Sequence, residues 1–408
     1  MHLTAQTPQS WLDPAAYWSS LSAATEQLDT PFGAISVPAL SWNAHDMLRR
    51  ANGTTIRVAS KSVRVRGVID AVLALPGFHG VLAYTLAEGL WLAETIDDVV
   101  VGYPTVDRQA LTKLATSGKL AARVTVMVDS VDQLDFIDSV LASHKRETIR
   151  VALELDASWK SPVLGHLGVY RSPIRTAEQA TALGAAIIAR PGFQLVGMMA
   201  YEAQIAGVTN RPAGRPLFGR TVDYVQKRST IELHERRGAV VAALRELADL
   251  EFVNGGGTGS LEGTASDPSV TEIAAGSGLF GPHLFDGYSH FQPAPAAAFS
   301  LSVVRKPEPT MATLLGGGWI ASGPPAADRM PKLAWPEGLS YVAREAAGEV
   351  QSPLRGPAAP GLRVGDRVWL RHTKAGELSE HLDEFAMVDD GVIVDTMKTY
   401  RGEGKAFL

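Results

Sequence analysis

Lys61, in TIRVASKS, is the first residue along this sequence whose type and position could do chemistry. It closes a short β-branched run. A lysine held at a strand end among apolar neighbours can present a neutral amine, which is a nucleophile and a Schiff-base former. A surface lysine at a strand end would look the same. The second feature is NGGGTGS, residues 254–260. There Gly256, Gly257 and Gly259 let backbone N–H groups converge on an anion, and Thr258 and Ser260 add hydroxyl donors. A flexible turn also uses glycines. The segment is not a P-loop, because no Gly-Lys-Ser/Thr follows. It fits a dinucleotide fingerprint only partly, since Ser260 stands at the sixth position.

These residues need elements to hold them. From residue 54 onward, short apolar runs alternate with longer segments of helical period. Strands are expected at 55–60, 80–85, 98–103, 122–128, 149–156, 193–201, 251–254 and 271–276. Helices are expected at 62–75, 130–144, 176–190 and 234–250, with Asp129 placed to cap the second. Strands apolar on both faces, each followed by a helix, imply a parallel sheet covered by helices. Eight such units predict an α/β fold with a closed (β/α)₈ TIM-like barrel over residues 34–290, in preference to an open doubly wound sheet. Lys61 then follows strand one and the glycine segment follows strand seven, both at the C-terminal mouth where barrel enzymes build their sites. Beyond Gln292 the texture changes. PAPAAA (293–298) and GPPAA (323–327) read as linkers, and SLSVVRK, ATLLGG, RVWLRH, EFAMV and GVIVDTMKTY read as strands. Residues 291–408 are therefore expected to form a β-rich second domain, with residues 1–33 as an N-terminal segment packing on it.

An amine after strand one and a phosphate cradle after strand seven together suggest pyridoxal 5'-phosphate, which needs a partner for its aldehyde, donors for its phosphate and a wall for its ring. The chain resembles the fold-type III pyridoxal-phosphate enzymes of the group containing D-threonine aldolase and D-serine dehydratase, with a more distant likeness to alanine racemase in the barrel. ASK (59–61), GVYRSP (168–173), GMMAY (197–201), GGGTGS and GSGLF (276–280) carry the resemblance. It implies that Lys61 bears the Schiff base, that Arg171 lies near the cofactor and that Tyr201 flanks the ring. Gly256, Gly257, Thr258, Gly259 and Ser260 would grip the phosphate, with Gly276 and Ser277 as companions. Alanine racemases carry an arginine on strand eight facing the pyridine nitrogen. Ala274 aligns near that place, which favours the aldolase and dehydratase side.

In the second domain GEVQSPL (348–354) resembles the family's Glu-Glu-His-Gly segment, with Gln351 where the His would be. VGDRVWLRHTK (364–374) is similar to the segment ending in Pro-x-His-x-Cys or Pro-x-His-x-Asp, whose His and acid or thiol bind a divalent metal (manganese, magnesium or zinc). His372 matches. Lys374 takes the next ligand position, and a protonated ammonium cannot coordinate a cation. In one reading, Lys374 supplies a fixed positive charge where the metal would have sat, stabilising oxyanion character on a substrate β-hydroxyl. In the other, a metal binds through His372 with Glu377, Glu380, His381 or Asp383. The first is preferred, because a single substitution explains it.

The resemblance implies a lyase acting on a β-hydroxy amino acid of D configuration, with Lys61, His372 and Lys374 as the catalytic set. Retro-aldol cleavage would release an aldehyde and glycine or a glycine analogue, with His372 or a water beside it as base. β-Elimination to a 2-oxo acid and ammonia, with Lys61 taking the Cα proton, is the alternative. Racemisation and a non-enzymatic pyridoxal-phosphate-binding barrel are further ones. The resemblance also implies a homodimer in which the β domain of one chain closes the site of the other. Trp319, Trp335 and Trp369 are candidates for an apolar substrate wall as well as for core positions.

Composition bounds the partners. The 408 residues hold 38 Lys+Arg against 43 Asp+Glu, a formal net charge of −5, which argues against a nucleic-acid binder. There is no cysteine, so disulfides, thiolate nucleophiles and cysteine-based metal sites are excluded. No apolar run reaches the roughly 18 residues of a membrane span, and the first thirty residues lack a secretory pattern. A cytoplasmic protein with a small amino-acid substrate and no membrane partner is expected.

Overall fold

The computed structural model describes residues 1–5, 8–212, 214–324 and 326–408, so Pro325 of GPPAA and Gln6 and Thr7 of the N-terminal segment lie outside the described residues. The first strand, β1 (Phe32–Ser36), is buried along its whole length and precedes the barrel without joining it. The barrel strands are β2 (Thr55–Ala59), β3 (Phe78–Ala83), β4 (Val99–Val101), β5 (Val124–Val128) and β6 (Ile149–Glu154). A short half-buried hairpin, β7 (Trp159–Ser161) and β8 (Gly165–Leu167), interrupts the series before β9 (Phe193–Ala200), β10 (Phe252–Gly255) and β11 (Glu272–Ala275) complete it. The eight close in parallel, β11 pairing with β2 through Ile273 against Ile56 and Ala275 against Val58. Outward-facing Ile56, Val58, Val99 and Val101 are fully buried beneath helices. The inward face is filled by Val100, Met127, Ala152, Val196, Met199 and Phe252. This double burial is why the strands read as continuous apolar runs.

Three helices match their expected places with shorter ends, at Arg66–Leu73, Val131–Val140 and Ala177–Ala189. The fourth is longer than expected, running from Pro216 to Arg245 over 30 residues. Its first half shows Leu217, Phe218 and Tyr224 to solvent, so no apolar period marks it. Asp129 does not cap its helix: its carboxylate and backbone N–H are taken by the Gln133 carboxamide, at 2.7 Å each.

The second sheet contains β12 (Ala297–Arg305), β13 (Ala312–Leu315), β14 (Lys332–Trp335), β15 (Ser340–Tyr341), β16 (Gln351–Arg355), β17 (Arg367–Arg371), β18 (Glu384–Asp389) and β19 (Val392–Lys398). Its order is β15-β16-β13-β12-β1-β18-β19, with β17 also on β12 and β14 on β17. β1 therefore lies at its centre, antiparallel to β12 and parallel to β18. The boundary expected at residue 34 falls inside this strand, and the chain enters the barrel with the helix Val37–Arg50. The helix Pro14–Ala24 lays Tyr17 and Trp18 on Phe32, Ala298 and Trp369. Arg367 fastens the following turn by donating to the carbonyls of Thr25 and Glu26, each at 2.7 Å.

PAPAAA is not a loose linker. Ala294, Ala296, Ala297 and Ala298 are buried, and Asn43 holds Ala294 through both its N–H (2.7 Å) and its carbonyl (2.9 Å). Small side chains let the chain pass between barrel and sheet. Two of the three tryptophans, Trp319 and Trp369, are core residues, and Trp335 is half-buried. Trp369 is fully buried against Trp18 and Phe32, Trp335 packs on the same cluster, and Trp319 stacks between Phe299 and His381.

Candidate active site

A cavity opens at the C-terminal end of the barrel, bounded by strand ends, by the glycine segment and by Lys374 and Ala375 from beyond β17. Lys61 lies in the turn Ser60–Ser62 immediately after β2 and lines it. The lysine is exposed, not enclosed by apolar walls, and its ammonium has no hydrogen-bond or ion-pair partner among the described residues. The turn beneath it is fixed: Ser60 Oγ donates to Leu82 O at 3.0 Å, and Arg64 Nε donates to Lys61 O at 2.9 Å. Behind the turn, Glu88 is fully buried, accepting from Tyr84 N at 2.7 Å and from Tyr400 Oη at 3.0 Å. Burial pushes its carboxyl up to about 7, against these hydrogen bonds.

The glycine segment and the start of the helix Ser277–Phe280 face each other. Gly256, Gly257, Thr258, Gly276 and Ser277 line the cavity; Gly259 and Ser260 do not. Gly259 is pressed against the carbonyl of Ala206, where a Cβ would stand at 2.2 Å. Ser260 Oγ accepts from Gly257 N at 3.2 Å and bonds to Thr264 Oγ1 at 3.1 Å. These two residues shape the loop from behind. Glu202, buried after β9, holds it further, accepting from Gly256 N (2.9 Å) and Thr264 Oγ1 (2.7 Å). Thr258 Oγ1 accepts from Ser277 Oγ at 3.1 Å and Gly278 N at 3.0 Å, so its own hydrogen is free to be donated. Gly276 needs its missing side chain, since a Cβ would lie 2.3 Å from Ala59 O.

Arg171 and Tyr201 also line the cavity. The guanidinium sits 4.9 Å from the Tyr201 ring centre and 5.0 Å from that of Tyr103, and 3.4 Å from both Glu154 Oε1 and Tyr103 Oη. Burial pushes Glu154 up to about 7, with Arg171 opposing it. Tyr84, Tyr103 and Asn254 are cavity residues that sequence reasoning missed. Each stands at the C-terminal end of a barrel strand, in GVLAYT, DVVVGY and EFVN, and that placement was the available signal.

Lys374 reaches the cavity of its own chain. Gly376 packs on Lys61 O, where a Cβ would stand at 2.2 Å, and the Glu377 carboxylate accepts from Thr373 N (3.0 Å), Lys374 N (2.6 Å) and Ala375 N (2.8 Å). The turn is thereby pinned beside the lysine. Burial, with Arg329 and Lys61 nearby, lowers the pKa of Lys374. Its ammonium has no partner among the described residues either.

His372 differs from its expected role. It is 1% exposed, does not border the cavity, and lies edge-on to Phe280, 6.3 Å between ring centres. Burial pushes its imidazole down to about 4. The other ligand candidates are committed elsewhere. Glu377 serves the backbone, Glu380 pairs with Arg64, His381 stacks on Trp319 and Asp383 pairs with Arg401. Gln351 forms the start of β16, opposite Leu315. Among the described residues no three of His, Asp or Glu converge as a metal site, so these side chains do not fit a divalent cation.

Residues 35–283 match the model of the alanine racemase N-terminal domain, well over half of the chain. The chain belongs to that family. A D-threonine aldolase of Arthrobacter sp is 26% identical over 390 residues, covering 90% of this chain and 91% of that one. A 3-hydroxy-D-aspartate aldolase of Paracoccus denitrificans is 28% identical over 240 residues, covering 58% and 54%. Among solved structures, D-threonine aldolase from Filomicrobium marinum shares the fold at a TM-score of 0.74, with 21% identity and coverage of 92% and 95%. For this alanine racemase N-terminal domain family pyridoxal phosphate is the expected cofactor. The side chains here fit it, with an unpartnered amine at Lys61, a spare hydroxyl hydrogen at Thr258 and a cradle kept open by Gly257 and Gly276. No helix among the described residues is long and apolar enough to cross a membrane.

Proposed function

We propose that the protein is a pyridoxal-phosphate-dependent lyase that cleaves a β-hydroxy amino acid of D configuration into an aldehyde and glycine or a glycine analogue, without a divalent metal. The observation that carries this reading is the meeting of two unpartnered lysines, Lys61 and Lys374, in one cavity with the glycine segment. Similarity to the two aldolases supports the reaction class.

Bound pyridoxal phosphate supplies an electron sink for the pair left at Cα when the Cα–Cβ bond breaks. Lys61 Nζ would hold the cofactor's aldehyde carbon. Thr258 Oγ1 and the backbone of Gly256, Gly257, Gly276 and Ser277 would hold the phosphate, and Tyr201 and Arg171 would border the ring. Arg171 also offers a cation to a carboxylate or to the cofactor's phenolic oxygen. Lys374 meets the β-oxygen. Its lowered pKa lets it exchange the hydroxyl proton more readily than an ordinary lysine. Once protonated, it stabilises negative charge on that oxygen, the work a metal would otherwise do. His372 supports the wall behind Lys374 and takes no proton from substrate. The proposal extends to a cytoplasmic enzyme working as a homodimer on a small amino acid.

The test is a panel of D-β-hydroxy amino acids incubated with the cofactor-loaded protein, with products identified. Glycine with an aldehyde is the expected outcome. A 2-oxo acid with ammonia, or the enantiomer, would replace the retro-aldol reading. A protein that stays colourless with the cofactor, or whose visible band survives both borohydride and Lys61→Ala, would sink the cofactor reading itself.

A further inference from the structure

The floor of the cavity is made by Leu82, Met199, Asn254 and Ala274, and of these only Asn254 carries polar side-chain atoms. Its orientation is dictated by its neighbour. Asn254 on β10 stands in register with Glu272 on β11, and Asn254 Nδ2 donates to Glu272 Oε1 at 2.9 Å. A carboxylate can only accept, so the amide must present its nitrogen there, and its carbonyl oxygen Oδ1 is left over. Glu272 cannot turn away. Arg57 grips it with Nε on Oε1 at 2.7 Å and Nη2 on Oε2 at 2.9 Å, and Nη2 also reaches Asp98 Oδ2 at 2.8 Å. The side chains of Arg57 and Glu272 are 2% and 7% exposed, so this is a fixed layer inside the barrel. One guanidinium serves two carboxylates, and the polarity of the layer favours a positive donor above Asn254.

We propose that Asn254 Oδ1 accepts the ring N–H of the bound cofactor and so keeps the pyridine nitrogen protonated. The inference rests on the cofactor reading above. A guanidinium is a donor only and would demand an unprotonated nitrogen; an amide oxygen is an acceptor only and demands a protonated one. Ala274, on the next strand, offers neither group. A protonated ring would be the stronger sink for an electron pair left at Cα, which suits carbon–carbon cleavage. Asn254 thus sets the ring's electronic state, while Lys61 and Lys374 act at the reacting atoms.

The experiment loads the full-length protein with pyridoxal phosphate labelled with nitrogen-15 in the ring and follows the ring-nitrogen signal from pH 6 to pH 9. In the wild type the signal stays in the protonated range throughout. In Asn254→Leu it shifts toward the unprotonated range, with a midpoint lower by at least about one pH unit, a tenfold change in the protonation equilibrium. Ala274→Arg, which places a donor beside the ring, gives the unprotonated signal. An unprotonated nitrogen in the wild type overturns the proposal without any variant. So does a signal in a folded Asn254→Leu protein that matches the wild type across the range. If the wild type acquires no visible band reducible by borohydride, the cofactor reading itself has failed; if it binds and only the ring signal disagrees, this inference alone falls.

Discussion

Replacing Gly276 with alanine tests whether the phosphate cradle and the lysine turn are one mechanical unit. Gly276 immediately precedes the helix Ser277–Phe280, with φ −157° and ψ −36°. The added Cβ would stand 2.3 Å from Ala59 O and 3.2 Å from Ala59 Cβ. Neither can swing aside as the tip of a flexible side chain would. To reach even 3.0 Å, β11 and β2 must part by about 0.7 Å at the point where β2 delivers Ser60 and Lys61. Overpacking of this kind costs about 1–3 kcal/mol of stability. Displacing the lysine from the cradle by a large fraction of an ångström lowers kcat/KM on the order of tenfold to 10²-fold. The assay pairs a thermal melt with kcat/KM and cofactor affinity, comparing Gly276→Ala with Gly263→Ala, where a Cβ meets nothing within 4 Å. Gly263→Ala retains wild-type turnover. A Gly276→Ala protein with wild-type melting and wild-type turnover would refute the claim that strand end and cradle are rigidly coupled.

Lys374→Ala lowers kcat by about 10²-fold to 10⁴-fold, the scale of lost acid–base assistance. In the wild type kcat rises with pH along a limb whose midpoint lies below the 10.5 of an ordinary lysine, and that limb vanishes in the variant. Chelator leaves wild-type activity unchanged; a loss restored by manganese or zinc would refute charge replacement. Glu88 binds its proton in the folded state up to about pH 7, while the unfolded chain has released it in the ordinary carboxylate range. Stability therefore falls as pH rises through that window. Glu88→Gln, which can still accept from Tyr84 N, removes that part of the fall, worth on the order of 1–2 kcal/mol between pH 5 and pH 8 in urea melts.

The barrel was legible because its strands are buried on both faces and therefore carry unbroken β-branched runs such as VVVGY and VTVMV. β1 was not, since a five-residue strand claimed by a sheet assembled more than 260 residues later leaves no local sign of its partners. The lysine turn and the glycine cradle were legible from residue type and position. His372 was misplaced because a motif gives spacing without facing. β17 alternates Val368, Trp369 and Leu370 into packed surroundings, and His372 follows them inward, while Lys374, two residues on, emerges into the cavity. Asn254 was overshadowed by the three glycines after it. The Glu88–Tyr400 hydrogen bond joins residues 312 apart, beyond the reach of any periodicity.

The threading of β1 bears on how the molecule is made. The strand leaves the ribosome before the barrel does, yet its partners β12 and β18 are synthesised after it, so its hydrogen-bonding edges wait while the 260 residues between β1 and β12 are laid down. Long-range pairing of this kind forms slowly. Lys374 reaches the cavity only on a turn carried between β17 and β18, so the two lysines meet only once that turn has been made. A chain that stops before Lys374 lacks one of the two lysines that the proposed cleavage would use.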